Sequence, residues 1–302
     1  MKRKGTTSRE GMVLRGAARD LVTDAAGVAA ISSEATVEAE LGPERVLRSL
    51  RTTPTAPGVE GLIGQSVAAG FRAEADRLLG VEAELQTPLH LLIDDLPVAS
   101  LIAGYADLYQ GSVRSGSVRG RGPLIRSDIC AGWAAGGVML RTLKQSGELP
   151  TPVGPLAPPA DPDADPFGWH EMPQLEPGAM RRRRLVDVSG GDHLVELVVR
   201  AMLRDTHVDA GGVERVLHEY ELYATVDKES GTFTRCEAVP RVLPWPECPS
   251  AAASATDMVG LQLPVVRQFV RANMRGIETC THLNDLLRSL ADVAPLAVQL
   301  AE

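Results

Sequence analysis

Several things that would place a protein in a special class are missing or scarce here. Four cysteines in 302 residues are too few for the disulfide framework of a secreted domain, so reduced thiols are expected. There is no cationic excess: 31 Lys and Arg stand against 39 Asp and Glu, for a formal net charge of -8. That balance argues against general nucleic-acid affinity. A local basic cluster, Arg181-Arg182-Arg183-Arg184, reads first as a solvated strand entry, with an anion site as the alternative. No segment reaches the roughly 20 apolar residues needed to span a bilayer. Met1-Lys2-Arg3-Lys4-Gly5 carries the charges of an export signal without the apolar run behind it. A cytoplasmic protein with neither nucleic acid nor membrane as partner is expected, and nothing in the sequence fixes its oligomeric state. With 44% hydrophobic residues, the chain is long enough for two globular domains of ordinary size.

Against that scarcity, two of the four cysteines and one of the six histidines stand in two compact boxes. Thr279-Cys280-Thr281-His282-Leu283 opens a helical stretch whose apolar stripe is Leu283, Leu286, Leu287 and Leu290. Trp245-Pro246-Glu247-Cys248-Pro249 precedes the small-residue run Ser250 to Ala255. Thiolate and neutral imidazole are preferred ligands of zinc and related soft metals. Cys248, Cys280 and His282 are therefore metal-ligand candidates, with His218, His207, Glu219 or water for the fourth place. A helix N-terminus also stabilises a thiolate, which makes Cys280 a candidate nucleophile. The competing reading takes both cysteines as small buried hydrophobes and His282 as a helix cap.

Asp205 and His207, in Arg204-Asp205-Thr206-His207 at a strand end, could share a proton or orient a ligand. A turn held by Asp side chains is the plainer alternative. His218 and Tyr220 face one side of an alternating strand and Glu219 the other. The segment Arg126 to Gly137 combines Asp128, Cys130 and Trp133 with small residues that allow close backbone approach, so it reads as a substrate-pocket wall or a tightly packed helix. Trp169-His170 is unusual for a spacer and joins the substrate-binding candidates, with packing as the alternative.

The expected fold class is α+β, in three parts. Residues 1–146 form an N-terminal copy, 147–180 a Pro-rich connector, and 181–302 a C-terminal domain carrying the site. Strands are expected over 194–203, 216–226 and 232–242, followed by helices. Leu62-Ile63-Gly64 and Thr87-Pro88-Leu89-His90-Leu91 parallel Met258-Val259-Gly260 and Thr279-Cys280-Thr281-His282-Leu283. An internal duplication with one surviving site follows, with His90 matched to His282.

Residues 181–293, through Arg204-Asp205-Thr206-His207, His218-Glu219-Tyr220, the Trp245 to Pro249 box and Cys280-Thr281-His282-Leu283, resemble an uncharacterised bacterial domain family ending in a Cys-Thr-His-Leu box. More distantly, strands, a cysteine followed by Ala and Ser, a helix and a second Cys/His box resemble the IscU/NifU iron–sulfur scaffolds. That second resemblance implies an IscU/NifU-like duplicated unit, a small antiparallel sheet with covering helices. Here the scaffold's adjacent His-Cys is Cys-x-His, and its Gly-Asp turn is absent.

The functional expectation is an enzyme of small-molecule catabolism, a hydrolase or lyase acting on a carbonyl or thioester, with zinc or iron as the possible metal. Cys280, His282, His207 and Asp205 would be catalytic. The alternative is a non-catalytic holder of a metal, an iron–sulfur cluster or transferable sulfur.

Overall fold

The computed structural model describes residues 11–105, 127–147, 149–158, 167–190 and 195–300. Arg126 of the pocket segment, connector residues 148 and 159–166, Leu194 at the head of an expected strand, and the N-terminal basic run lie outside them. The chain divides into two units, Met1–Ala106 with Ala160–Pro173, and Asp107–Pro159 with Gln174–Glu302. The pocket segment, expected in the N-terminal part, belongs with the second unit. The Ala131 N–H donates to the Thr279 carbonyl at 2.9 Å, and the Val138 N–H donates to Glu247 Oε1 at 2.7 Å.

The first unit is α+β. Strands β1 (Met12–Thr23), β2 (Ala29–Leu41) and β3 (Leu47–Thr53) form an antiparallel sheet in that order. Helices α1 (Phe71–Leu78), α2 (Gly80–Leu85) and α3 (Pro88–Ile102) follow, with α3 lying on β1 and β2. Val37, Ala39 and Leu41 alternate into the core and meet Leu89, Ile93 and Leu96 of α3. Pro88 at the first helical position and the Thr87 hydroxyl accepting from the His90 N–H fix where α3 begins.

The second unit is also α+β. Its antiparallel sheet runs β4 (Met180–Ser189), β5 (Glu196–Val208), β6 (Glu214–Asp227) and β7 (Phe233–Val242), one strand more than the sequence reading expects. Helix α4 (Val138–Ser146) precedes the sheet; a 3₁₀ run over Cys248–Met258 and helices α5 (Val266–Asn273), α6 (Thr281–Ser289) and α7 (Val293–Gln299) follow it. Val199, Ala201 and Leu203 of β5 and Tyr220, Leu222 and Ala224 of β6 pack under Leu283, Leu286 and Leu287 of α6. Each buried leucine contributes about 1.5–3 kcal/mol. Leu286→Ala should cost about 2–5 kcal/mol through the cavity it leaves, read as a lower urea midpoint; an unchanged midpoint would place α6 outside the core.

Each unit carries a register shift in its sheet and a positive-φ glycine after its last strand. The β1–β2 register shifts between Asp20 and Leu21, and the β5–β6 register between Asp205 and Thr206. Asp20 lies opposite Ser33, as Asp205 lies opposite His218. Gly64 donates to Leu47 and Leu47 to Gln65; likewise Gly260 donates to Phe233 and Phe233 to Leu261, all at 2.7–2.9 Å. Both glycines take φ near +90°, at 88° and 86°, where a side chain is strained. The first helical bonds are Leu91 N–H to Thr87 and Asn284 N–H to Cys280. Thr87 and Cys280 each accept the first bond of their helix, so His90 is the third residue after that acceptor and His282 the second; His90 bonds Asp76 at 2.8 Å.

Candidate functional site

Asp205 is the last β5 residue before the register shift, and alternation with Leu203 and Ala201 turns it toward the helices. His218 lies opposite it on β6. His282, in the first turn of α6, stacks on His218 with ring centroids 3.5 Å apart and planes at 14°. Its Nε2 is 3.7 Å from Asp205 Oδ2, and its Nδ1 is 3.8 Å from Cys280 Sγ and 3.4 Å from the Thr281 hydroxyl. Thiol, imidazole and carboxylate thus stand in one line. Exposure is 4% for Cys280, 7% for His282, 3% for His218 and 0% for Asp205.

A charged partner holds the carboxylate. Arg182 Nε and Nη2 donate to the two Asp205 oxygens at 2.7 and 2.8 Å, and its Nη1 donates to Asp285 Oδ2 at 2.7 Å. Arg288 also pairs with Asp285. Arg182 belongs to the cluster expected to be solvated. Its side chain is 8% exposed and that of Arg183 7%, so the cluster opens a strand as expected but does not face water. Alternation along β4 points Arg182 to the side where Asp205 waits on β5. Sequence reasoning missed this, although Asp285, one helical turn after His282, offered a signal.

Burial pushes His282 down to about 3, reinforced by the Arg182 charge. It also holds His218 well below 6.5, with His282 adding to the effect. Both rings are neutral when folded, whereas an unfolded chain takes up their protons below about 6.5. Stability present above that pH is therefore lost as pH falls from about 6.5 toward 3, at up to about 1.4 kcal/mol per pH unit per ring. Urea midpoints measured at pH 7.5 and 5 should differ accordingly; equal midpoints would mean the rings ionise freely.

The four cysteines are reduced and buried. Burial raises Cys280 above the ordinary thiol value despite the opposing pull of the Leu283 and His282 N–H groups. Desolvation therefore opposes the stabilisation that the helix start offers a thiolate. Cys130 is pushed to about 11 and Cys248 to about 12, by burial first and the Cys280 charge second.

Among the described residues, the metal-capable donors gathered within 4.8 Å of one another are Asp205, His218 and His282. Cys248 and Cys280, expected as ligands with His282 and His218, stand outside that set. A ring nitrogen's lone pair lies in the ring plane, so two near-parallel rings cannot both meet one ion at about 2.0–2.1 Å unless one turns. Arg182 pairs with both Asp205 and Asp285, and Arg288 with Asp285.

The other candidates are distributed unevenly. His207 lies beyond the register shift, opposite Arg215, and outside the donor set. Asp128 closes its own loop by accepting from the Ala135 N–H at 2.9 Å. That loop packs beside both cysteine boxes: a Cβ on Gly132 would fall 2.7 Å from Cys248 Sγ, and Trp133 packs with Met139, Trp245 and Cys248. Trp169 and His170 belong to the first unit, where Arg19 bonds the Trp169 carbonyl at 3.0 Å.

The stretch holding Asp205, His218, Cys280 and His282 runs from β4 into α7, and residues 180–295 match the family described as Protein of unknown function (DUF2889). Residues 180–295 are a DUF2889 domain. Comparison with curated proteins and with solved structures finds no match. The DUF2889 domain contains the whole charged network, while Cys130 and its loop precede it in sequence. No helix among the described residues is long and apolar enough to cross a membrane.

Proposed function

We propose that the chain is a thiol-dependent acyl-transfer enzyme, a hydrolase of small thioesters or reactive carbonyl compounds. The observation that carries this reading is the line from Cys280 Sγ through His282 to Asp205, with gaps of 3.8 and 3.7 Å. Such gaps are looser than hydrogen bonds, as in many resting sites that tighten on substrate. Cys280 attacks the acyl carbon while its proton passes to His282 Nδ1. The imidazolium then gives that proton to the departing thiol as the carbon–sulfur bond breaks. Water, deprotonated by the same ring, releases the acid and restores the thiol. Asp205, clamped by Arg182, faces Nε2 and favours the tautomer that leaves Nδ1 able to accept. At 4% exposure, the sulfur is reached only when the structure around it moves.

The matched registers, paired glycines and paired helix starts support a duplicated unit. Its first copy keeps the carboxylate as Asp20 but has Ser33, Ala35, Thr87 and Leu89 where the second has His218, Tyr220, Cys280 and His282. The reading is tested by incubating the full chain with a panel of simple acyl thioesters and recording free thiol released. Release by wild type and none by Cys280→Ser is expected; release by both would remove Cys280 from the chemistry.

A second reading, a zinc- or iron-holding protein of the scaffold type, draws on the Asp205, His218 and His282 donor set. Elemental analysis of anaerobically purified protein separates the two. The acyl-transfer reading expects full activity without stoichiometric metal; stoichiometric metal lost on His218→Ala would favour the second.

A further inference from the structure

Alternation along β4 sends Arg182 toward the helices and Arg181 and Arg183 to the opposite face of the sheet. On that face Arg183 lies directly across from Arg204 of β5, and Arg181 across from Thr206. Like charges set opposite each other on neighbouring strands repel. The two carboxylates beside them are already engaged. Glu219 is held by Arg204 through two bonds of 2.7 and 3.0 Å. Glu214 Oε1 accepts from the Thr206 hydroxyl at 2.5 Å, and its Oε2 faces Arg181 Nη1 at 3.5 Å. Arg183 is left without such a bond. Its side chain is 7% exposed, Glu214 stands 4.0 Å away, and among the described residues no acceptor meets its Nε or Nη1. Burial first, and the Arg181 charge next, disfavour its protonated form, which an arginine keeps all the same. A buried charge held in this way calls for a counterion.

We propose that Arg183 and Arg204 form a binding site for a phosphate group, as the free ion or as a phosphomonoester, on the sheet face turned away from Cys280. The site is independent of the acyl-transfer reading. Arg181, Arg183 and Arg204 set against Glu214 and Glu219 leave one positive charge in excess, which draws an anion. The guanidiniums come from two strands and approach from different directions. They therefore suit the tetrahedral oxygens of phosphate better than the two coplanar oxygens of a carboxylate. The way in is from the Arg204 side, where its Nη1 donates to the exposed Pro158 carbonyl at 3.4 Å. That bond is long, and a charged acceptor displaces it. Pro158 follows a segment laid along the start of β6, where the Val216 N–H donates to the Pro155 carbonyl and the Ala157 N–H to the Glu214 carbonyl, both at 2.9 Å. Gly154 permits this approach, since a Cβ there would fall 1.6 Å from the Val216 carbonyl oxygen. The segment so held forms one rim of the site.

The experiment is isothermal titration calorimetry of the full-length protein with inorganic phosphate and, separately, with methyl phosphate, at an ionic strength held constant with sodium chloride. Saturable binding of at least one of them is expected, weakened about tenfold or more in Arg183→Gln through the loss of charged hydrogen bonds. Tighter binding of inorganic phosphate assigns the site to the free ion, and tighter binding of methyl phosphate to an esterified group. Binding of neither, equal affinity in a folded Arg183→Gln protein, or acetate binding as tightly as phosphate overturns the proposal. A second measurement leaves the arginine in place. The Arg183 Nε–H resonance of the wild-type protein should shift along the same phosphate titration; a resonance unmoved at saturation overturns the proposal. Neither readout involves Cys280 or thioester turnover, so failure of one proposal leaves the other standing.

Discussion

Thioester turnover by Cys280→Ser is expected to fall by about 10⁴-fold, with the circular dichroism spectrum and thermal midpoint close to wild type. The size follows from the role: the sulfur forms the covalent bond, and losing one member of a unit costs nearly as much as losing all of it. His282→Ala should fall by a similar factor, because its Nδ1 stands 3.8 Å from the sulfur, placed to take its proton. Cys236→Ala provides the contrast. Cys236 is 2% exposed in the middle of β7, and burial alone pushes it up to about 12. Turnover of that variant should match wild type within about twofold. Equal activity in all three would move the chemistry away from the start of α6.

The second large effect is on stability, and it separates two neighbours in one basic run. Arg182→Ala is expected to cost about 3–5 kcal/mol, because it leaves Asp205 and Asp285 buried with one clamp removed. Arg183→Ala should cost far less, within about 1 kcal/mol. Arg183 is nearly as buried, yet its Nε and Nη1 make no hydrogen bond and Glu214 is 4.0 Å away. Urea unfolding of the two variants in parallel checks this. A larger loss for Arg183 than for Arg182 would mean that the Asp205 clamp is not a stabilising element.

Local pattern made much of this visible in the sequence. The strand alternation from Val216 to Val226 placed His218 and Tyr220 on one face, and both are buried toward the helices. The leucine stripe after His282 defined α6 and put Cys280 at its start. Pairings across long separations were not visible. Nothing in Arg181-Arg182-Arg183-Arg184 says which guanidinium turns inward; that depends on β4 lying against β5 in a register that sets Arg182 opposite Asp205. The convergence of Asp205 with His282 likewise depends on α6 crossing the sheet just above the register shift. Ligand types can be read from the sequence, but the stacking of His218 on His282 and the pairing of Arg182 with Asp205 are facts of packing.

The most direct test of the acyl-transfer centre is rapid acid quench of the full-length protein mixed with excess acyl thioester, followed by peptide mass spectrometry. The account predicts a mass increase equal to the acyl group on the peptide containing Cys280, present in wild type and accumulating further in His282→Ala if acylation still proceeds slowly. Turnover with an unmodified Cys280 peptide, or with the acyl group on Cys130, Cys236 or Cys248 instead, would contradict it.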